Sequence, residues 1–260
     1  MSERVAIVGD GLIGRSIRLA CLRRDPSAAV VSLDRGDSLE SLADAAVIVL
    51  AAPVDAILAM LPSLPTLARA ARLLTDTGST KREIVAAARA AGLTRFVGGH
   101  PMAGGTASGP AQARDTLFDG RSWFLVGAGA PPDTVALATR FVTDLGAVPV
   151  LLDDNGEEHD RLVAAISHLP QVVASALLAT VGEAVGADGI RRAGGGLRDT
   201  TRLAASQASV WAPILATNAA AVAPLLKALA RELDAAANSL GDARAVERLF
   251  ARAHRFSFDP

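Results

Sequence analysis

Val5-Ala6-Ile7-Val8-Gly9-Asp10-Gly11-Leu12-Ile13-Gly14 decides the fold of this chain. Four apolar residues closed by glycine read as a strand buried on both faces. A GxGxxG follows at once, and helical spacing runs on from Leu12 to about Arg23. In that context Gly9, Gly11 and Gly14 allow a tight turn, close approach of a pyrophosphate, and helix–strand packing. Leu12 and Ile13 open the helix, whose free N–H groups suit phosphate oxygens. The next strand, Val30–Leu33, ends at Asp34, about twenty residues past Gly14, where a carboxylate meets the adenosine ribose hydroxyls. Asp34 would repel a 2′-phosphate, which favours NAD. Arg35 beside it keeps NADP open, because a guanidinium can meet that phosphate.

Farther out, residues 46–51 form a third apolar run, and Pro53 ends it at the cofactor-facing edge. A helical segment to residue 71 is interrupted by Pro62 and Pro65. Leu73–Asp76 reads as a fourth strand and residues 95–97 as a fifth. Residues 123–126 and Val148–Leu152 complete the set. Strands alternating with helices predict a parallel, doubly wound Rossmann-type α/β sheet. Thr80 and Glu83 have the spacing of a capping box, which leaves Ser79 free at the carboxyl ends of the strands. The fifth strand empties into Gly98-Gly99-His100-Pro101-Met102-Ala103-Gly104-Gly105-Thr106, a glycine-rich stretch read as a loop that presents His100 to a ligand.

After Asp153-Asp154-Asn155-Gly156 only helical periodicity remains. The predicted domains are 1–154, nucleotide-binding, and 155–260, all-helical. A long helix from Glu157 to about residue 181 should kink at Pro170. Residues 218–240 carry a one-face apolar stripe that predicts a homodimer through the helical domain.

Composition removes several classes of function. The net charge of −1 gives no reason to expect a nucleic acid or anionic membrane partner. The single cysteine, Cys21, excludes an internal disulfide and fits a reducing cytoplasm, and its place on the first helix argues against a reactive thiol. No signal peptide and no bilayer-spanning run is expected, and the acid pairs 153–154 and 157–158 lack the histidine or cysteine company of a metal site. His159, His254 and Lys81 read as structural, the last as a helix-start cation.

The whole chain resembles the prephenate dehydrogenase family. The resemblance rests on Gly9–Gly14, on Asp76-Thr77-Gly78-Ser79-Thr80-Lys81, and on Gly99-His100-Pro101-Met102-Ala103-Gly104 with Ser108-Gly109. Glu158-His159-Asp160-Arg161, Ser167-His168-Leu169-Pro170 and Gly194-Gly195-Gly196-Leu197-Arg198-Asp199-Thr200-Thr201-Arg202, with Trp211 beyond, complete it. It implies oxidative decarboxylation of prephenate to 4-hydroxyphenylpyruvate with hydride transfer to NAD, in tyrosine biosynthesis. By the same resemblance His100 accepts the proton and Ser79 fixes its tautomer. Arg202 grips a carboxylate, His168 makes a second contact, and Gly195 and Trp211 wall the pocket. Relatives often carry Thr-Glu where this chain has Gly105-Thr106, so Thr106 bears on substrate choice and the missing acid favours the keto acid over arogenate. Gln171 replaces a frequent second histidine. Ending at Pro260 implies no appended regulatory domain. The alternatives are an arogenate or 4-amino-4-deoxyprephenate dehydrogenase, and a non-catalytic dinucleotide-binding sensor, which would have no use for His100, Ser79 and Arg202 together.

Overall fold

The computed structural model describes residues 4–104 and 109–256. Seven strands, β1 (Val5–Val8), β2 (Val30–Leu33), β3 (Val47–Leu50), β4 (Leu73–Asp76), β5 (Phe96–Pro101), β6 (Ser122–Val126) and β7 (Val148–Leu152), form one sheet in the order β2-β1-β3-β4-β5-β6-β7. The first-half helices are α1 (Leu12–Arg24), α2 (Val54–Met60), α3 (Leu64–Leu67), α4 (Arg82–Ala90) and α5 (Pro132–Asp144). On one face Ile17 of α1 and Leu137 and Val142 of α5 bury against Ile7, Val49 and Leu125. On the other, Ile57, Leu64 and Ile84 of α2–α4 bury against Ala6, Ile48 and Leu50. β3 and β4 are buried throughout, which is why their sequences are continuously apolar until Thr75 and Asp76. Cys21 sits half-buried on α1, where burial pushes its thiol up to about 11 and leaves it inert.

The sheet departs from the all-parallel expectation at one place: β6 runs antiparallel to β5, with His100 opposite Phe124. This pairing draws residues 98–101 into β5, so His100 is a buried strand residue and not a loop residue. The glycines misled because they look like loop formers. A side chain on Gly99 would place its Cβ 2.4 Å from the Asp76 carbonyl oxygen and 2.8 Å from Thr75 Oγ1. They are there so that β5 can pass close to β4.

The second half is helical: α6 (Glu157–Val163), α7 (Leu169–Arg191), α8 (Gly195–Thr201), α9 (Ala208–Thr217), α10 (Ala219–Ser239) and α11 (Ala243–His254). The break expected at Pro170 lies one turn earlier, as a π turn over Ala164–His168. Widening that turn makes room for a proline ring that has no N–H to offer the helix. The helix also runs past residue 181 to Arg191, interrupted by the non-helical Gly186. By length and composition the helix Glu157–Arg191 is apolar enough to cross a membrane, its most apolar 18-residue window having a mean hydropathy of 1.7, where none was expected. Its first turns instead pack against α4 and α10. Leu233 on α10, Leu240 just past its end, Phe250 on α11 and Val185 on α7 stay largely exposed in the single chain.

Candidate active site

The switch in strand order between β1 and β3 opens a crevice at the carboxyl ends of the sheet, where ligands bind in folds of this kind. Gly9, at φ +109°, crosses so close to β3 that a Cβ would fall 2.2 Å from the Ala51 oxygen, and Gly14 packs on Gly9 just as tightly. Gly11 is different: a Cβ there would meet nothing within 4 Å and would project into the crevice. It precedes α1, whose N-terminus carries no side-chain cap and no acidic residue in its first turn. Free amides beside an open cradle fit the pyrophosphate of a dinucleotide. Gly11, Leu12, Ile13 and Pro53 all line a cavity of about 740 Å³ that runs from this cradle to the helical domain. Asp34 and Arg35 stand exposed beyond β2, off the cavity wall, with Asp34 Oδ1 accepting the Arg35 N–H at 2.8 Å.

At the other end the cavity is walled by Ser79, His100, Gln171, Arg202 and Trp211. Five segments of the chain, drawn from both halves, thus meet at one space. Arg202 is exposed at the rim, on the short 3₁₀ turn Arg202–Ala205. Gln171 is buried and holds that turn, donating to the Leu203 carbonyl at 2.8 Å and accepting from Ser206 Oγ at 3.2 Å. Trp211 packs edge-to-face on His168 with ring centroids 5.7 Å apart.

Two site residues implied by the resemblance are not brought to the cavity wall. His168 is fully buried behind it, its Nδ1 3.1 Å from Asn218 Nδ2 and its Nε2 without a hydrogen-bond partner among the described residues. Gly195 is exposed at the start of α8, away from the cavity. Thr106 lies outside the described residues. Nor does Ser79 hold the inner nitrogen of His100. That nitrogen, Nδ1, is 2.9 Å from Nε2 of His159, a residue read from the sequence as structural.

Two more residues gain roles that the sequence did not suggest. Lys81 is completely buried and ion-paired with Asp76, whose carboxylate also accepts the Gly78 N–H at 2.8 Å and the Gly99 N–H at 3.0 Å. This pair, not a helix-start charge, pins β5 beside β4 immediately before His100. The capping box is absent as well. Thr80 hydrogen-bonds Thr217 of α9, and the first amides of α4 are met by Asp160 of α6. A buried carboxylate accepting two N–H bonds outbids a threonine hydroxyl for that position.

Burial drives all three inner histidines toward the neutral form. For His100 the neighbouring His159, Lys81 and His168 add to the effect and hold it well below 6.5. His159 is lowered by burial despite Asp160, and His168 falls to about 4 for the same first reason. Groups depressed in the folded state take up protons on unfolding. Their contribution to stability is therefore complete above pH 6.5 and is lost as pH falls from there toward 4. The melting temperature should decline steadily from pH 7 to about pH 5, above the range where carboxylates titrate. Calorimetry across that interval checks it, and a flat midpoint would contradict it. Among the described residues no group of three or more His, Cys, Asp or Glu side chains is arranged to hold a metal ion.

Residues 20–151 match the model of the prephenate dehydrogenase nucleotide-binding domain, and residues 155–252 that of the prephenate dehydrogenase dimerization domain. The chain belongs to the prephenate dehydrogenase family. A prephenate dehydrogenase of Bacillus subtilis is 32% identical over 257 residues, covering 90% of this chain and 69% of the relative. The crystal structure of prephenate dehydrogenase from A. aeolicus in complex with hydroxyphenyl propionate and NAD+ superposes with a TM-score of 0.87 at 25% identity, covering 98% of this chain and 97% of that one. Synechocystis arogenate dehydrogenase follows with a TM-score of 0.79 at 26% identity, covering 96% and 97%. As the sequence resemblance implies, this member of the prephenate dehydrogenase family is an NAD-dependent dehydrogenase with a Rossmann-type sheet and a helical C-terminal region.

Proposed function

We propose that the protein oxidatively decarboxylates prephenate to 4-hydroxyphenylpyruvate, a step of tyrosine biosynthesis, as a cytoplasmic homodimer paired through its helical domain. The observation that carries the reading is the single cavity joining an uncapped phosphate cradle at Gly11 to His100 and Arg202. Gly9, Gly11, Leu12, Ile13, Gly14 and Pro53 hold the dinucleotide, and Asp34 selects NAD over NADP, with Arg35 the residue to watch for the reverse preference. NAD, when bound, supplies the hydride acceptor. His100 accepts the 4-hydroxyl proton as the ring carbon is oxidised. Loss of the ring carboxylate as carbon dioxide leaves a phenolate, to which His100 returns the proton. Prephenate and NAD are thereby converted with no net release of a proton.

Arg202 grips a substrate carboxylate at the rim, where a guanidinium offers paired donors. Ser79 and Trp211 shape the pocket, and the absent acid at 105–106 supports the keto acid over its amino analogue. Because the departing carboxylate must lose its charge, a firm ion pair is better spent on the side chain that stays. Removing a hydrogen bond to a charged group costs about 1.5–3 kcal/mol. Arg202→Ala is therefore expected to raise KM for prephenate about 10- to 100-fold and leave the Kd for NAD unchanged. Steady-state kinetics at saturating cofactor measures this, and an unaltered KM would remove Arg202 from the pocket. Exposed apolar side chains on α10 and α11 support the dimer.

A further inference from the structure

Behind His100 lies a line of buried groups that touch no part of the pocket. His100 Nδ1 is 2.9 Å from His159 Nε2, and His159 Nδ1 is 2.8 Å from Asp160 Oδ1. Asp160 closes the line by accepting the Lys81 N–H at 2.7 Å and the Arg82 N–H at 3.0 Å. His159 is 0% exposed and Asp160 4%, so water does not compete for these bonds.

Each bond in such a line needs one donor and one acceptor, so the state of one end fixes every other. Backbone amides only donate, so both carboxylate oxygens of Asp160 act as acceptors. Burial pushes Asp160 up, but His159 and the two amides outweigh it and hold the group below the usual carboxylate range. Against an ionised Asp160, His159 must donate from Nδ1. Neutral His159 then has a bare Nε2, which can only accept, so His100 carries its hydrogen on Nδ1. His100 Nε2 is left with a lone pair for the cavity that the ring lines. Free imidazole side chains in water prefer the opposite tautomer, so this one has to be imposed.

We infer that His159 and Asp160 are positioning residues for His100, imposing the tautomer that can take a proton and supporting the cation that results. The inference rests on the reading of His100 as the acceptor of the substrate hydroxyl proton. When that proton arrives at Nε2, the imidazolium is faced by Lys81, His159 and His168; the Lys81 ammonium opposes positive charge there, while His159 accepts the Nδ1 hydrogen. His159 in turn faces Asp160, Lys81 and Asp76. Asp160 is the carboxylate in line with the new charge, reached by drawing each hydrogen along its bond toward it. When His100 gives the proton back to the phenolate oxygen, each hydrogen returns, and nothing is gained or lost.

Nitrogen-15 NMR of the intact protein labelled at histidine, with NAD bound and no substrate, reads the tautomer directly. The His100 signals are identified by their disappearance in His100→Asn. The expected result is hydrogen on Nδ1 and none on Nε2; hydrogen on Nε2 would overturn the inference whatever the substrate proves to be. In kinetics, Asp160→Asn should lower kcat on the order of 10²–10⁴, the scale seen when an orienting aspartate behind a catalytic histidine becomes an amide. KM for prephenate and Kd for NAD should stay within about threefold, as expected when only the transition state loses an interaction. His159→Gln, which keeps an acceptor facing His100, should retain at least about tenfold more activity than His159→Phe. Folded Asp160→Asn protein with wild-type kcat would overturn the inference; if that variant does not fold, the NMR result and the His159 pair decide.

Discussion

His100→Ala is expected to lower kcat by about 10²–10⁴, the usual worth of a positioned acid–base group, while the Kd for NAD stays within about threefold. The two readouts separate because the dinucleotide cradle is built by β1, α1 and the turn after β3, whereas His100 enters from β5. Removing the imidazole leaves the hydroxyl proton without an acceptor as its carbon loses hydride. Burial, with His159, Lys81 and His168 as neighbours, keeps His100 neutral well below pH 6.5. The acid limb of kcat/KM for the native protein therefore falls well below that of a solvent-exposed histidine. Measuring kcat and cofactor binding on the same preparation tests the assignment. Turnover close to native in His100→Ala would remove it from the chemistry.

Lys81→Ala is expected to destabilise the fold by about 3–5 kcal/mol, the cost of leaving one member of a buried ion pair uncompensated. Both partners are 0% exposed, so losing the ammonium leaves the Asp76 carboxylate buried without its counter-charge. Asp76 also accepts the N–H groups of Gly78 and Gly99. Its adjustment would shift β5 where Gly99 crosses β4 most closely, and His100 is the next residue. Denaturant titration measures the loss, and a change below about 1 kcal/mol would show that the pair does not carry the load assigned to it.

The strands and the cofactor cradle are legible in the sequence because they obey local rules. Val5–Val8 and Val47–Leu50 are apolar runs of strand length, and Gly9 and Gly14 are dictated by neighbours close in the chain or one strand away. Ser79, His100, Arg202 and Trp211 are marked by motifs, and they do meet at one cavity. The antiparallel step between β5 and β6 is not legible, because pairing direction leaves no trace in periodicity. His159, Asp160 and Lys81 are harder still. His159 reaches His100 across 59 residues and Asp160 meets the Lys81 amide across 79, so their partners exist only after α6 docks on the sheet. A charged residue directly beside a glycine-rich site motif, as Lys81 follows Ser79-Thr80, is the one local hint. His168 shows the converse: a motif histidine whose place is behind the wall, against Trp211 and Asn218.

The most direct measurement is reduction of NAD by the purified protein with prephenate, followed by absorbance and by product analysis, with arogenate as the parallel substrate. Equimolar reduced cofactor, carbon dioxide and 4-hydroxyphenylpyruvate from prephenate, at a kcat/KM well above that for arogenate, is the result predicted here. Tight NAD binding with no reduction by prephenate, or reduction by arogenate alone, would contradict it.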